Sequence, residues 1–367
     1  MTPASMTPVA ATHVILGSSG SWLVTADEQA RMYLVNPVTG QQEDLPDILT
    51  MGIQKEGFWY NLDMHSFMCT RFGEMQDNWG PRWEPERPQS FTLAACKMRQ
   101  FFYRKVVLSA SPHPRNYAAM LILQRGFGAP AFATSENSIW SLASSRDGVE
   151  DAIHHDNQFY SITYSGVVQV WKHDANAGGK MTSIVVEPRL FLDDQDSLVE
   201  AIPRLIENYK SCNKYLVMSL KGQLMVVQKY LEEVDLRWKC SFKVHVLSSK
   251  QDGVQHWEEL PDIGDLVLFV GLNNSMCISS TEHPEFNAGC IYFTDDELEQ
   301  APWRTDDRNL YFYDQRDFKN RCVGVYNVKK GKIRKVKYNV KKGKMGKVKC
   351  PLVQQSFWPP AAWFRPE

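Results

Sequence analysis

The sequence predicts an all-β chain, a β-propeller of about five or six four-stranded blades with one short inserted helix. Three observations predict it. A turn-centred two-strand unit recurs along the chain. Roughly five sets of about four short apolar segments follow one another at intervals of about 40–60 residues. Turn formers are spread throughout, with 22 Gly and 19 Pro, and aromatics reach 12%, a bias toward strands and turns.

The repeated unit is clearest at Phe159–Trp171, FYSITYSGVVQVW. A second copy, YLVMSLKGQLMVV, spans Tyr215–Val227. Aligned on Gly166 and Gly222, both carry an apolar residue four before the glycine, Ile162 or Met218. Both carry apolar residues two and four after it, Val168 and Val170 or Leu224 and Val226. Period-two alternation broken by a glycine turn is a hairpin signal. A looser third copy is WLVTADEQARMYLV at Trp22–Val35, with a polar turn and no glycine. A lone hairpin is marginal in water, so the copies must pack together.

Taken in order, Met1–His13 is small and polar and reads as a disordered N-terminus. Residues 14–367 read as a single propeller domain. Val14–Pro46 is the first sheet, with strands at Trp22–Thr25 and Met32–Val35, a turn at Asn36–Gly40 and a short outer strand at Gln41–Leu45. Thr50–Pro88, rich in Trp, Met and Pro, reads as a long insertion able to hide strands. Four strands follow at Lys105–Ser111, Ala118–Leu123, Ala129–Thr134 and Ile139–Leu142. Four more lie at Ala152–His155, Phe159–Tyr164, Val167–Lys172 and Met181–Val186. Ser197–Tyr209 switches period: Leu198, Ile202, Leu205, Ile206 and Tyr209 fall on one helical face, with Pro203 as a kink. This is the inserted helix. Strands resume at Tyr215–Ser219, Leu224–Tyr230, Phe242–Leu247 and His256–Leu260. The last set is Leu266–Val270, Ser275–Ser279, Cys290–Phe293 and Cys322–Asn327. A sandwich of two sheets is the competing fold, but it would not repeat a turn-centred unit.

The formal net charge of −1 hides a segregation. Lys329–Lys349 holds Lys329, Lys330, Lys332, Arg334, Lys335, Lys337, Lys341, Lys342, Lys344, Lys347 and Lys349, and no acid. The remainder has 30 basic against 42 acidic residues, a net of −12. Within this basic stretch lies a duplication of period twelve, YNVKKGKIRKVK at Tyr326–Lys337 and YNVKKGKMGKVK at Tyr338–Lys349. The first copy fits the closing strand pair of the last sheet. The second reads as an extension added to it, so residues 326–349 form a basic duplicated extension. It allows a nuclear-import signal, a phosphate-binding patch for nucleic acid, or a solvated hairpin docking on the acidic body. The solvated hairpin is the default.

No apolar run approaches the ~20 residues of a membrane helix, and no basic-then-apolar leader opens the chain. The eight cysteines include no C-x-x-C pair, so no zinc spacing is indicated. The expectation is an intracellular protein, cytoplasmic or nuclear, with reduced thiols and no cofactor or metal. Asn273-Asn274-Ser275 matches a glycosylation sequon that carries no meaning without secretion.

Several motifs invite chemistry and decline it. Gly17-Ser18-Ser19-Gly20-Ser21 lacks the final glycine of a nucleophile elbow and precedes a strand rather than a helix. His154 and His155 are neighbours on a strand, so their side chains point to opposite faces and do not share a metal with Asp156. His245 alternates with apolar residues and reads as a solvent-face residue. The acidic pairs Asp193-Asp194, Glu232-Glu233, Asp295-Asp296 and Asp306-Asp307 read as solvated turns after strands. Glycoside hydrolysis would need two of these carboxylates to face each other. No glycine motif supports nucleotide binding.

Seven stretches together are specific: GSWLVTADEQARMYLVNPVTGQQEDLP (Gly20–Pro46), RKVVLSASP (Arg104–Pro112), VEDAIHHDNQFYSITYSGVVQVW (Val149–Trp171), KYLVMSLKGQLMVV (Lys214–Val227), DLVLFVGLNNSMCISSTEHP (Asp265–Pro284), GCIYFTDD (Gly289–Asp296) and AWFRP (Ala362–Pro366). They resemble the plant KIB-type β-propeller family, a domain of unknown function often found behind an F-box. The resemblance covers nearly the whole chain. It implies a propeller used as a protein-binding platform. Members with an F-box resemble substrate receptors of ubiquitin ligases, whose F-box helices dock the ligase adaptor. The nineteen residues before Gly20 carry no helical pattern, so the expectation is either a propeller-only member or a truncated product, in both cases without the F-box that docks a ligase adaptor. The basic duplication also departs from the family pattern.

The reading is a non-enzymatic protein-interaction propeller whose partner is an unidentified protein, not a membrane or nucleic acid. It predicts an aromatic patch on a loop drawn from Phe58–Trp83. The alternatives are a carbohydrate-active enzyme and a nuclear nucleic-acid binder acting through the lysines.

Overall fold

The computed structural model describes residues 13–63, 90–95, 97–98, 102–109, 116–124, 129–145, 148–174, 180–186, 188–190, 210–234, 237–249, 253–271, 273–294, 324–335, 337–339 and 344–346. The predicted helix at Ser197–Tyr209 lies outside the described residues. The described chain falls into two compact units, one up to Arg189 and one from Leu190 onward.

The first unit opens with an antiparallel sheet of β1 (Val14–Ser19), β2 (Trp22–Ala26), β3 (Met32–Val35) and β4 (Gln42–Asp44), paired in chain order. The insertion does hide strands: β5 (Gln54–Glu56) and β6 (Trp59–Asp63), joined by β7 (Ser90–Ala94) in a three-stranded sheet. Next come β8 (Tyr103–Leu108), β9 (Ala118–Leu123), β10 (Ala131–Thr134) and β11 (Ser141–Leu142), again four strands in chain order. The fourth sheet is β12 (Val149–His155), β13 (Gln158–Thr163), β14 (Val168–Asp174) and β15 (Lys180–Val185).

Strand β9 shows why these sheets stack. Its sequence, AAMLIL, is a continuous apolar run. Met120 and Ile122 enter a core with Phe132, Val149, Phe159 and Trp171. Ala119, Leu121 and Leu123 point the other way and are equally buried. A strand covered on both faces loses its polar alternation. Two contacts tie neighbouring sheets. Lys105 on β8 and Asp151 on β12 form a buried ion pair of 2.5 Å, with side chains 3% and 4% exposed. Trp140 donates its indole N–H to the Pro46 carbonyl at 2.8 Å, pinning the segment after β4 beside β11.

In the second unit β16 (Lys210–Met218), β17 (Leu224–Val234), β18 (Arg237–Ser249) and β19 (Gln255–Glu259) form a four-stranded antiparallel sheet. The last sheet has five strands rather than four. β20 (Leu266–Val270) pairs with β21 (Met276–Ser279) on one side and β22 (Cys290–Phe293) on the other, followed by β23 (Gly324–Asn327) and β24 (Lys332–Lys335). β20 and β22 are parallel. The connection explains this. Ser280 N–H donates to the Asp265 carbonyl and Gly289 N–H to the Leu266 carbonyl, so the chain is brought back to the start of β20 before β22 begins. Phe286 in that connection packs edge-on against Phe269 and Tyr292. Phe242, Val244 and Val246 face Leu268, Val270, Ile291, Phe293 and Tyr326 in one core. A separate hairpin, β25 (Lys337–Asn339) and β26 (Lys344–Gly346), follows.

The three copies of the repeated unit share one turn. Gly166 (φ 83°) and Gly222 (φ 73°) occupy the left-handed position, as expected. The copy without a glycine places Ala30 there at φ 64°. In each, a side chain three residues before that position accepts the N–H of the residue after it: Thr163 from Val167, Ser219 from Gln223, Asp27 from Arg31. The unit is therefore a hydroxyl or carboxylate, two variable residues and a glycine or alanine. Its copies do not hold the same place: they join second to third strands at β2–β3 and β13–β14, but first to second at β16–β17.

Candidate functional site

The feature that best offers itself to a partner is the three-stranded sheet. Its buried side carries Tyr60 and Leu62, 2% and 0% exposed. The Tyr60 hydroxyl donates to the Gln29 carbonyl at 2.7 Å, anchoring β6 on the β2–β3 turn. Lys55 lies over the Tyr60 ring at 4.9 Å. Strand alternation then sends Trp59 and Asn61 outward. Glu56 stands directly opposite Trp59, which stands opposite Ala94; Gln54, Asn61 and Thr92 form the next row. Cross-strand partners share a face, so an indole, a carboxylate, two amides and a hydroxyl lie together. Thr92 Oγ1 donates to Asn61 Oδ1 at 3.0 Å. Glu56, Gly57, Trp59, Asn61 and Thr92 line an open cleft. Phe58 at the hairpin tip is 76% exposed and Trp59 54%. The Ala95 N–H holds the Phe58 carbonyl at 2.8 Å, so the tip is tied to the end of β7.

Of the predicted aromatic stretch Phe58–Trp83, residues 64–83 lie outside the described residues. The hairpin was readable in QKEGFWYNLD, where Glu-Gly-Phe-Trp interrupts alternation, but Glu56 beside Trp59 emerges only from the register.

The basic segment divides. Lys329 and Lys330 sit in the β23–β24 turn and Lys332 opens β24, all exposed. Arg334 and Lys335 lie on β24, opposite Val325 and Gly324. Lys337 lies on β25 and Lys344 on β26. Lys341, Lys342, Lys347 and Lys349 lie outside the described residues. Lys329 Nζ pairs with Asp262 Oδ2 at 3.0 Å. The Gly264 N–H and then Lys329 hold the Asp262 carboxyl below the usual carboxylate range. Tyr326 is buried and its ring packs 5.0 Å from Phe242. It is thereby removed from any base-stacking surface.

Other predicted positions are placed as follows. Ser19 pairs with Trp22 across a hairpin turn, so the Gly17–Ser21 stretch joins strand to strand. His154 packs edge-on against Phe159 at 4.9 Å, and burial, then His155, pushes its pKa down. His155 instead meets Asp156 at 3.3 Å. His245 corrects the sequence reading: its side chain is only 14% exposed. Burial is the main cause that lowers its pKa, and Glu259, directly opposite on β19, flanks its ring at 3.8 Å. Glu232 and Glu233 are also corrected. They lie within β17, opposite Lys239 and Trp238, because the β17–β18 hairpin runs on past Tyr230. The other acidic pairs lie outside the described residues. Asn273 of the sequon is 1% exposed. Cys277 and Cys290 are free thiols, and burial pushes Cys277 up to about 11. Among the described residues no group of His, Cys, Asp or Glu is arranged to hold a metal, and no helix is long and apolar enough to cross a membrane.

A family model described as KIB1-4 beta-propeller matches residues 2–327. No curated protein matches the chain. Among solved structures, the N-terminal domain of Nup159 is 11% identical, with 68% of this chain and 64% of that chain covered and a TM-score of 0.28. Nup159 in an S. cerevisiae complex with Dbp5 and Gle1 is 12% identical, with 69% and 61% covered and a TM-score of 0.28. A luciferin-regenerating enzyme is 9% identical, with 68% and 93% covered and a TM-score of 0.24. The chain thus spans less than two thirds of the length of the two Nup159 chains it matches.

Proposed function

Since the chain belongs to the KIB1-4 β-propeller family, we propose that it is a non-enzymatic protein-interaction module whose contact surface is the Phe58–Trp59 hairpin. The observation that carries this is the pair of exposed aromatics on a sheet anchored from below by Tyr60. Large aromatics left in water on a rigid base resemble the anchors that dominate protein interfaces. Their exposure has a cost that a partner removes. By analogy with the family's F-box members, the bound protein is a substrate to be presented to a ubiquitin ligase; fold likeness alone supports that step.

Affinity capture from the source cells with the intact chain and with Phe58→Ser/Trp59→Ser tests the reading. A set of proteins retained by the intact chain and lost from the variant is expected. An identical set from both sinks the assignment of this surface. A ligase adaptor among the retained proteins supports the ubiquitin analogy, and its absence removes it.

A further inference from the structure

The same sheet face also specifies what it holds. We propose that the cleft over β5–β6 binds an arginine side chain of an extended segment of the partner protein, a step that rests on the Phe58–Trp59 surface being the contact face. Glu56 and Trp59 are direct cross-strand partners, and both line the cleft. An indole face carries negative quadrupole density and attracts a cation laid over it. A guanidinium is planar, stacks on such a face, and still offers N–H groups at its edge to a carboxylate. Trp59 supplies the face and Glu56 the carboxylate, one strand spacing of about 4.8 Å away. A neutral ligand would leave Glu56 without use, and an acidic one would be repelled.

The second row fixes the shape of the segment. Gln54, Asn61 and Thr92 lie two residues along the strands from the Glu56–Trp59–Ala94 row. That is about 6.8 Å, the distance between alternate residues of an extended peptide. A segment running along the strands with arginine over Trp59 therefore brings its next same-side residue above Asn61 and Thr92. Thr92 already occupies Asn61 Oδ1, so Asn61 presents its amide nitrogen as a donor to a backbone carbonyl. Phe58 at the tip adds apolar cover at the arginine end.

The test uses the full chain on an array of short peptides with randomised flanks and one fixed central residue. The fixed residue is arginine, lysine, citrulline or glutamate. Arginine is expected to be selected, lysine to bind several-fold more weakly, and citrulline at least tenfold more weakly. Glu56→Gln is expected to erase the preference for arginine over citrulline. Trp59→Leu is expected to abolish binding. Both positions are surface sites, and an unchanged thermal melt confirms that each variant folds. No preference for arginine, or the same preference in Glu56→Gln, overturns the proposal. So does binding of hexose oligosaccharides through Trp59 in place of peptide. If Phe58→Ser/Trp59→Ser loses its partners but the array shows no charge preference, only this inference falls. If that variant keeps its partners, the interaction surface itself is wrong.

Discussion

At the scale of single residues, the β2–β3 turn carries the most chemistry. Ala30 holds a left-handed φ of 64°, which costs an L-residue about 1–2 kcal/mol. Its surroundings over-determine it. Tyr103 donates to the Ala30 carbonyl at 2.8 Å and Tyr60 to the neighbouring Gln29 carbonyl. Asp27 accepts from the Gln29 and Arg31 backbone N–H groups, from Arg31 Nε and from the Tyr33 hydroxyl. Burial raises the Asp27 carboxyl, but these donors outweigh it and hold it below its ordinary 3.8. Burial and then Asp27 push the Tyr33 phenol up to about 12. A carboxyl whose folded pKa is depressed stabilises the fold above its unfolded pKa. That stability is lost as pH falls through the folded pKa. Denaturant unfolding of the intact chain and of Asp27→Asn should therefore differ by a constant amount between about pH 5 and about pH 9. The difference should shrink once pH drops below 3.8. A gap that does not change with pH would show that the carboxylate charge contributes nothing. A different constraint acts at Gly17, where a Cβ would stand 1.9 Å from the Val106 carbonyl oxygen. The glycine is there so that β1 and β8 can abut.

At the scale of elements, the duplicated hairpins pose a competition that the structure resolves. Tyr326 faces Ile333 and Asn327 faces Lys332 in the first copy; Tyr338 faces Met345 and Asn339 faces Lys344 in the second. The registers are identical, yet only the first copy closes the last sheet. Val325 is 5% exposed in that sheet, and the second copy has Lys337 at the same register position. Burying a lysine without a partner is costly. Val336 likewise replaces the buried Gly324. Exchanging both pairs, Gly324→Val and Val325→Lys with Val336→Gly and Lys337→Val, should hand the closing role to the second copy. Cys290 reports the outcome, because it lies directly opposite Asn327, a spacing that a disulfide can bridge. In the exchanged chain it should link under oxidation to a thiol introduced by Asn339→Cys and not to one introduced by Asn327→Cys. A link that stays with position 327 would mean that the core choice is not made by Val325 and Gly324. The strands themselves were legible because alternation and apolar runs are local: Met32–Val35, Ala118–Leu123, Leu266–Val270 and Cys290–Phe293 match the sequence reading. The parallel β20–β22 pair was not, since it depends on hydrogen bonds that return a ten-residue connection to its start. Glu56 beside Trp59 was hidden for the same reason, being a product of register.

At the scale of the whole chain, the charge segregation is what sequence shows best and local structure explains least. Eleven basic residues and no acid in Lys329–Lys349 stand against a net of −12 elsewhere. Lys329 meets Asp262, while Lys330 and Lys332 are exposed. Opposite charges carried on separate parts of one chain attract between copies as readily as within one. Screening sets the range: about 30 Å at 0.01 M salt and about 8 Å at 0.15 M. Sedimentation of the full chain should therefore show reversible association at the lower salt and a monomer at the higher. Lys329→Gln/Lys330→Gln/Lys332→Gln should weaken the association without altering the thermal melt, because all three side chains lie outside the core. Added duplex nucleic acid discriminates the remaining use of the lysines. Binding to phosphates alone should show no base preference and a steep loss with salt. A chain that stays monomeric at both salts and ignores the duplex would mean that its positive segment is already neutralised by its own acids. The basic hairpins would then be a structural clasp rather than a surface.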